Sequence, residues 1–178
     1  EEGEVTVGKS QQKITTLEQD IARYEAALLA TEQQMKYAEL DKGFEERKEA
    51  LEAARDEAKR KVDEAEAEKK ELVEPKDLLK RVVRGVGGLS PADSLRLINF
   101  ETKLKKLRLT YRDHDAAVNI FITAHAKAKA ELEQRQGEAL SKRAPTPGKG
   151  KTPDQFLKEL RQTQKAMTGE LKEVKKTL

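Results

Sequence analysis

The chain is 178 residues long, with charged side chains at 39% of positions, aromatic ones at 4%, and no Cys or Trp. This composition is typical of coiled coils and long helices, and it excludes a thick aromatic core, disulfides, cysteine-ligated metals and thiol catalysis. The net charge of +3 conceals an asymmetry, because residues 1–75 carry 13 Lys and Arg against 21 Asp and Glu, whereas residues 76–178 carry 23 against 12.

The first part of the chain predicts a tail followed by a long acidic helix. Residues 1–9 contain two glycines and no apolar stripe, so we expect a flexible N-terminal tail. Over residues 10–73, apolar residues recur at spacings of three and four, as on one face of an amphipathic helix. Gly43 interrupts this regular spacing of apolar residues. Because no Pro, Ser or Asn accompanies it to build a turn, we favour a continuous helix over a break at Gly43.

Residues 74–90 predict a joint. Pro75 ends the acidic helix, since the residue before a proline avoids the helical region. A short helical segment is expected after it. The run GVGG at residues 85–88 should then be irregular, because three glycines in four positions favour leaving the helix.

A long basic helix is predicted over residues 91–141. Ser90 and Pro91 are a typical helix start, with a capping residue followed by proline at the first helical position. Apolar residues at helical spacing then form a stripe that we call the packing seam. Its main members are Phe100, Leu104, Leu107, Tyr111, His114, Val118, Phe121 and His125. Ile120 and Ile122 widen the apolar surface there, which predicts more than one packing neighbour.

The chain has two histidines, His114 and His125, and both lie on the packing seam. The rise of a helix separates them by about 16 Å, too far for two ligands that must each lie about 2 Å from one zinc ion. Asp113 and Asp115 point about 100° away from His114. We therefore expect no catalytic residue, metal or other cofactor, and interpret the histidines as polar seam residues that fix register or pair with a facing carboxylate. A metal site shared with partner chains is the alternative.

The last part of the chain predicts a linker and a third helix. Residues 142–152 place prolines and glycines among basic residues, which is typical of an extended linker. Thr152 and Gln155 form a capping-box pattern, so a helix is expected over residues 153–178. Its heptad stripe, here the C-terminal seam, consists of Leu157, Leu160, Met167, Leu171 and Val174. We expect this protein-interaction seam to contact another protein, or to dock on the rest of the chain.

Basic residues between positions 76 and 112 form what we call the basic surface. They include Lys80, Arg81, Arg84, Arg96, Lys105, Lys106, Arg108 and Arg112. Such a surface can hold nucleic acid or anionic lipid through phosphate contacts. Ion pairing within the chain or with a protein is favoured instead, because the first helix is acidic and aromatic stacking residues are absent around the surface. The runs GVGG and GKGKT lack the strand and spacing of nucleotide-binding loops.

Together these features predict an all-α protein, an elongated antiparallel helical hairpin or coiled coil with an additional C-terminal helix. The expected function is that of a non-enzymatic structural or adaptor subunit that braces or bridges a larger multiprotein assembly, with protein subunits or a second copy as partners. The alternative is a module that binds nucleic acid or an anionic membrane.

The compartment is left open by the sequence. No run approaches the roughly 20 apolar residues of a transmembrane helix, so we expect a soluble or peripheral protein. The chain starts at Glu1 without Met. An organellar protein from which an N-terminal targeting segment has been removed would also fit this start.

Overall fold

A computed structural model describes residues 2–177, and within this range the chain is all-α, with five helices and no strand. The prediction of an all-α fold is confirmed. The helices are α1 (Glu2–Asp41), α2 (Phe44–Val73), α3 (Leu78–Gly87), α4 (Pro91–Ser141) and α5 (Pro153–Thr177). Two terminal residues lie outside the described residues. They are Glu1, the first residue of the predicted tail, and Leu178, the last residue of the predicted C-terminal helix.

Helix α1 begins at Glu2, where the sequence predicted a flexible tail over residues 1–9. The side chains of residues 2–9 are exposed, so local interactions favour the helix here rather than burial. Glu2 and Glu4 lie in the first turn, where carboxylates interact favourably with the helix dipole. The hydroxyl of Thr6 also donates to the Glu2 carbonyl at 2.9 Å. The expected tail is therefore corrected to the first turns of α1.

Gly43 separates α1 from α2, so the expectation of one continuous helix over residues 10–73 is wrong at this position. Its φ of 68° and ψ of 15° place it in the left-handed region, which residues with a Cβ adopt only at a cost. Helical bonding resumes at once, because the Arg47 amide donates to the Gly43 carbonyl at 3.0 Å. One glycine thus makes this break, without the neighbouring Pro, Ser or Asn that a turn was expected to need.

The joint contains the predicted short helix, but α3 continues through Gly85 and Gly87. The expectation that residues 85–88 are irregular is wrong except at Gly88. Gly88 has a φ of 67° and its amide donates to the Arg84 carbonyl at 2.9 Å, which ends the helix. At the other end, the Asp77 side chain accepts from the Leu79 amide at 3.0 Å and caps the first turn.

The chain divides into two compact units. Unit 2, Gly43–Ala124, contains α2, α3 and the first part of α4. Within it α2 and α4 run antiparallel, since Glu66 pairs with Arg108 and Lys69 pairs with Glu101. The buried core of this unit is formed by Val62, Ala65 and Leu104, with Leu107 and Tyr111 packed against them.

Unit 1 combines the chain up to Lys42 with the chain from His125 onward. Here α1 runs antiparallel to α5, because Glu32 pairs with Arg161 near one end and Lys13 with Glu170 near the other. The last part of α4 also runs antiparallel to α1, since Asp41 pairs with His125 and the Gln33 side chain donates to the Ala128 carbonyl. Ala27, Phe156 and Leu160 form the buried core of this unit, and Tyr24, Leu28 and Ala144 pack against it.

The linker at residues 142–152 is fixed at both ends within unit 1. The Arg23 guanidinium donates twice to the Arg143 carbonyl, at 2.9 and 3.1 Å. At the start of α5 the Gln155 amide donates to the Thr152 hydroxyl at 3.2 Å, and the Thr152 amide donates to the Gln155 side chain at 3.3 Å. The predicted capping box is confirmed. Over residues 2–177, none of the helices combines the length and apolar character that a membrane crossing requires.

Candidate docking surface on the third helix

The C-terminal seam packs inside unit 1. Leu157 and Leu160 are buried, while Met167, Leu171 and Val174 are half-buried along the same helix. The facing element is α1, which contributes Ala27 to the shared core. Of the two uses expected for this seam, docking on the rest of the chain is observed at Leu157 and Leu160, and a contact of the seam with another protein stays a prediction.

The packing seam lies on the buried side of α4. Leu104 and Val118 are each only 1% exposed, and the remaining members are half-buried, namely Phe100, Leu107, Tyr111, His114, Phe121 and His125. Ile120 does not share this environment, since it is 70% exposed. It lies about 200° around the helix from Val118 and so faces away from the seam. The prediction of several packing neighbours is therefore wrong at Ile120.

His125 pairs with a carboxylate on a facing helix, one of the two structural roles expected for it. Its Nε2 lies 2.9 Å from Oδ1 of Asp41 on α1, and its ring centroid lies 5.2 Å from that of Tyr37. The Tyr37 hydroxyl donates to the same Asp41 oxygen at 3.3 Å. Partial burial, followed by the Asp41 charge, raises the pKa of Tyr37. Among residues 2–177, no three His, Asp or Glu side chains lie close enough to hold a metal ion together.

The basic surface is not one continuous face. Arg84 and Arg96 both pair with Asp93, and Arg108 pairs with Glu66. The others, Lys80, Arg81, Lys105, Lys106 and Arg112, are exposed. On α4 these cations point in different directions, because Arg96 lies about 180° and Lys106 about 100° from Lys105 around the helix. Such a distribution does not form the basic stripe along one face that is typical of nucleic-acid binding.

The apolar residues of α3 form an exposed face. Five apolar side chains belong to this face. Because successive residues turn by about 100° around a helix, the five lie within an arc of about 140°. They are Leu78, Leu79, Val82, Val83 and Val86, exposed by 60 to 88%. No residue of α3 is buried. A contiguous apolar face of this kind is unusual on a protein surface.

Polar bonds hold α3 within unit 2. Arg84 Nη2 lies 3.0 Å from Oδ2 of Asp93 on α4, and Arg81 Nε donates to the Pro75 carbonyl at 2.6 Å. Arg84 Nη1 is buried, and no hydrogen-bond partner is found for it in the described part of the chain. A cleft of about 850 Å³ lies beside the helix, lined by side chains that include Leu72 of α2 and Phe100 of α4. Leu79, Lys80 and Val83 of α3 also line this cleft. Arg84 is thus bonded to α4, while the apolar side chains of α3 remain 60 to 88% exposed.

This exposed face was not predicted from the sequence, although a short helix was expected here. The signal was present in the segment LLKRVVRGVG, whose apolar and basic residues separate onto opposite sides at 100° per residue. Which side is exposed could not be read from that pattern, since an amphipathic helix ordinarily turns its apolar side inward. No protein-family model, curated protein or solved structure gives a significant match to the chain.

Proposed function

We propose that the chain is a non-enzymatic structural or adaptor subunit that braces or bridges a larger assembly, and that α3 is the element through which it docks. The observation that carries this proposal is the exposed apolar face of α3. Burying one Leu or Val side chain contributes about 1.5–3 kcal/mol. Five such side chains on one short helix therefore offer enough free energy for docking.

The other apolar stripes of the chain support this choice by their positions. The C-terminal seam packs against α1, and the centre of the packing seam is buried at Leu104 and Val118. Asp77 and Gly88 cap α3 at its two ends, and the ion pair between Arg84 and Asp93 fixes it to α4. The helix is thus formed and held in place with its apolar face exposed, which lowers the conformational entropy lost on docking.

The size of the native assembly tests the proposal. The chain has a mass of 20.1 kDa, and we expect it to sediment in gentle native extracts as part of a much larger complex. The double variant Val82→Asp with Val86→Asp should sediment at the size of the free chain, because two charged side chains would interrupt the apolar face. Ile120→Asp is the matched control, since Ile120 is also exposed on a helix of unit 2, outside α3.

Circular dichroism on both variants would establish that the helices are retained. A wild-type chain that sediments at its own mass in native extract would contradict the proposal. So would a complex that survives the double substitution in α3.

A further inference from the structure

We propose that the surface onto which α3 docks is an anionic membrane, with the apolar face of α3 among the lipids and with Lys80 and Arg81 contacting lipid phosphates. This inference rests on the proposed function, because it takes α3 as the docking element and specifies what the helix meets.

The cations of α3 lie where a helix in a membrane interface needs them. At 100° per residue, Lys80 is about 60° beyond Val83 at one edge of the apolar arc, and Arg81 is about 60° beyond Leu78 at the other. Both residues are exposed, with Lys80 also lining the cleft beside α3 and the Arg81 Nε donating to the Pro75 carbonyl. Long basic side chains in these flanking positions can extend along the apolar surface and place their charges among the headgroups on either side.

The charge of the segment complements an anionic surface. Residues 76–88 carry the basic residues Lys76, Lys80, Arg81 and Arg84 and one acidic residue, Asp77. Asp77 caps the helix and Arg84 pairs with Asp93. Lys76, Lys80 and Arg81 thus remain as exposed cations without an acidic partner in this segment, although the Arg81 Nε donates to the Pro75 carbonyl. Docking of α3 on a second copy would bring these cations together, which is unfavourable, whereas anionic lipids attract each of them.

The composition of the face favours a bilayer over a protein partner. It consists of Leu and Val alone, without the Trp and Tyr anchors that dominate the binding energy of protein interfaces. A fluid apolar medium accepts such side chains without a complementary pocket. The face therefore carries the apolar area and flanking charge that membrane binding requires, but not the aromatic anchors typical of a protein interface.

Co-sedimentation of the full chain with vesicles tests this inference. We expect binding to phosphatidylcholine vesicles that contain about one third phosphatidylserine, at least about tenfold weaker binding to phosphatidylcholine alone, and a loss of the difference in high salt. Val82→Asp combined with Val86→Asp should weaken binding to the anionic vesicles by at least about tenfold, and Leu79→Ser combined with Val86→Ser provides a second variant without added charge.

The charge of α3 is tested by Lys80→Glu combined with Arg81→Glu, which should remove the preference for anionic vesicles. Because Arg81 also bonds to the Pro75 carbonyl, Lys76→Glu combined with Lys80→Glu is a second variant that leaves that bond in place. As matched controls, Ile120→Asp and the pair Lys105→Glu with Lys106→Glu should change binding by no more than about twofold. Circular dichroism would verify the helix content of every variant.

The membrane inference is overturned if the wild-type chain does not bind anionic vesicles, or if its binding is unchanged by the substitutions in the apolar face. The two proposals fail separately. If vesicles are not bound but the Val82 and Val86 substitutions still release the native complex, the occupant of α3 is a protein, and only the membrane inference fails. If those substitutions affect neither binding nor the complex, the proposed function fails as well.

Discussion

Leu160 and Leu140 are the same residue type on helices of unit 1, but they differ in burial. Leu160 is 2% exposed in the core with Ala27 and Phe156, whereas Leu140 is 79% exposed. We expect Leu160→Ala to lower the free energy of unfolding by about 2–5 kcal/mol, through lost burial and the cavity that remains. Leu140→Ala should change it by no more than about 0.5 kcal/mol. Urea unfolding of both variants measures the difference, and similar losses would argue against the buried position of Leu160.

Tyr37 predicts a dependence of stability on alkaline pH. Its pKa is raised above the ordinary 10.0 by partial burial and by the adjacent Asp41. The folded state therefore retains the phenol proton more readily than the unfolded chain does. The resulting stability is fully present below about pH 10 and is lost as the pH rises through the pKa of the folded state. Between about pH 9 and pH 11, Tyr37→Phe should lose less stability than the wild type in urea unfolding. Equal losses in the two proteins would contradict this assignment.

At the scale of elements, glycines with different backbone conformations should respond in opposite ways to the same substitution. Gly43 has a left-handed φ of 68°, while Gly169 lies inside α5, and an added Cβ would meet nothing within 4 Å at either position. Gly43→Ala should destabilise by about 1–2 kcal/mol, because its backbone conformation is unfavourable for alanine. Gly169→Ala should stabilise by about 0.5–1 kcal/mol through its higher helix propensity. Thermal and urea unfolding would compare them, and a stabilising Gly43→Ala would indicate a continuous helix at this point.

At the scale of the whole molecule, the charge asymmetry of the sequence appears as ion pairs between helices. Lys13 and Lys69 pair in the opposite sense, with Glu170 and Glu101. In three other pairs an acidic residue of α1 or α2 meets a basic residue of α4 or α5, namely Glu66 with Arg108, Glu32 with Arg161 and Glu18 with Lys175. All six side chains are 40 to 60% exposed. Each pair should therefore contribute only about 0.2–1 kcal/mol.

Salt should accordingly have a modest effect on stability. Raising the salt concentration from about 50 mM to about 500 mM should lower the free energy of unfolding in urea by about 1–2 kcal/mol, because it screens these exposed pairs. Replacing Glu18, Glu32 and Glu66 by Gln should remove most of that salt dependence. A triple variant that keeps the full salt effect would mean that other charges determine it.

Helical periodicity predicted much of the packing. The seam through Leu104 and Val118 was visible in the sequence because residues three and four apart share a helix face. The same periodicity placed α4 at residues 91–141. It was less informative at Gly43, where a single backbone conformation ends the helix, and at Gly85 and Gly87, where the helix continues despite low propensity.

The sequence by itself determined the helical class of this protein, the residues of its main seams and the separation of apolar from basic residues on α3, because these follow from composition and from the geometry of one helix. The tertiary structure decided that the C-terminal seam packs on α1 and that α3 exposes its apolar side. These outcomes depend on which helices meet. The pattern of an amphipathic helix shows two different faces, and only the bonds to neighbouring elements, here Arg84 to Asp93, select the one that is exposed.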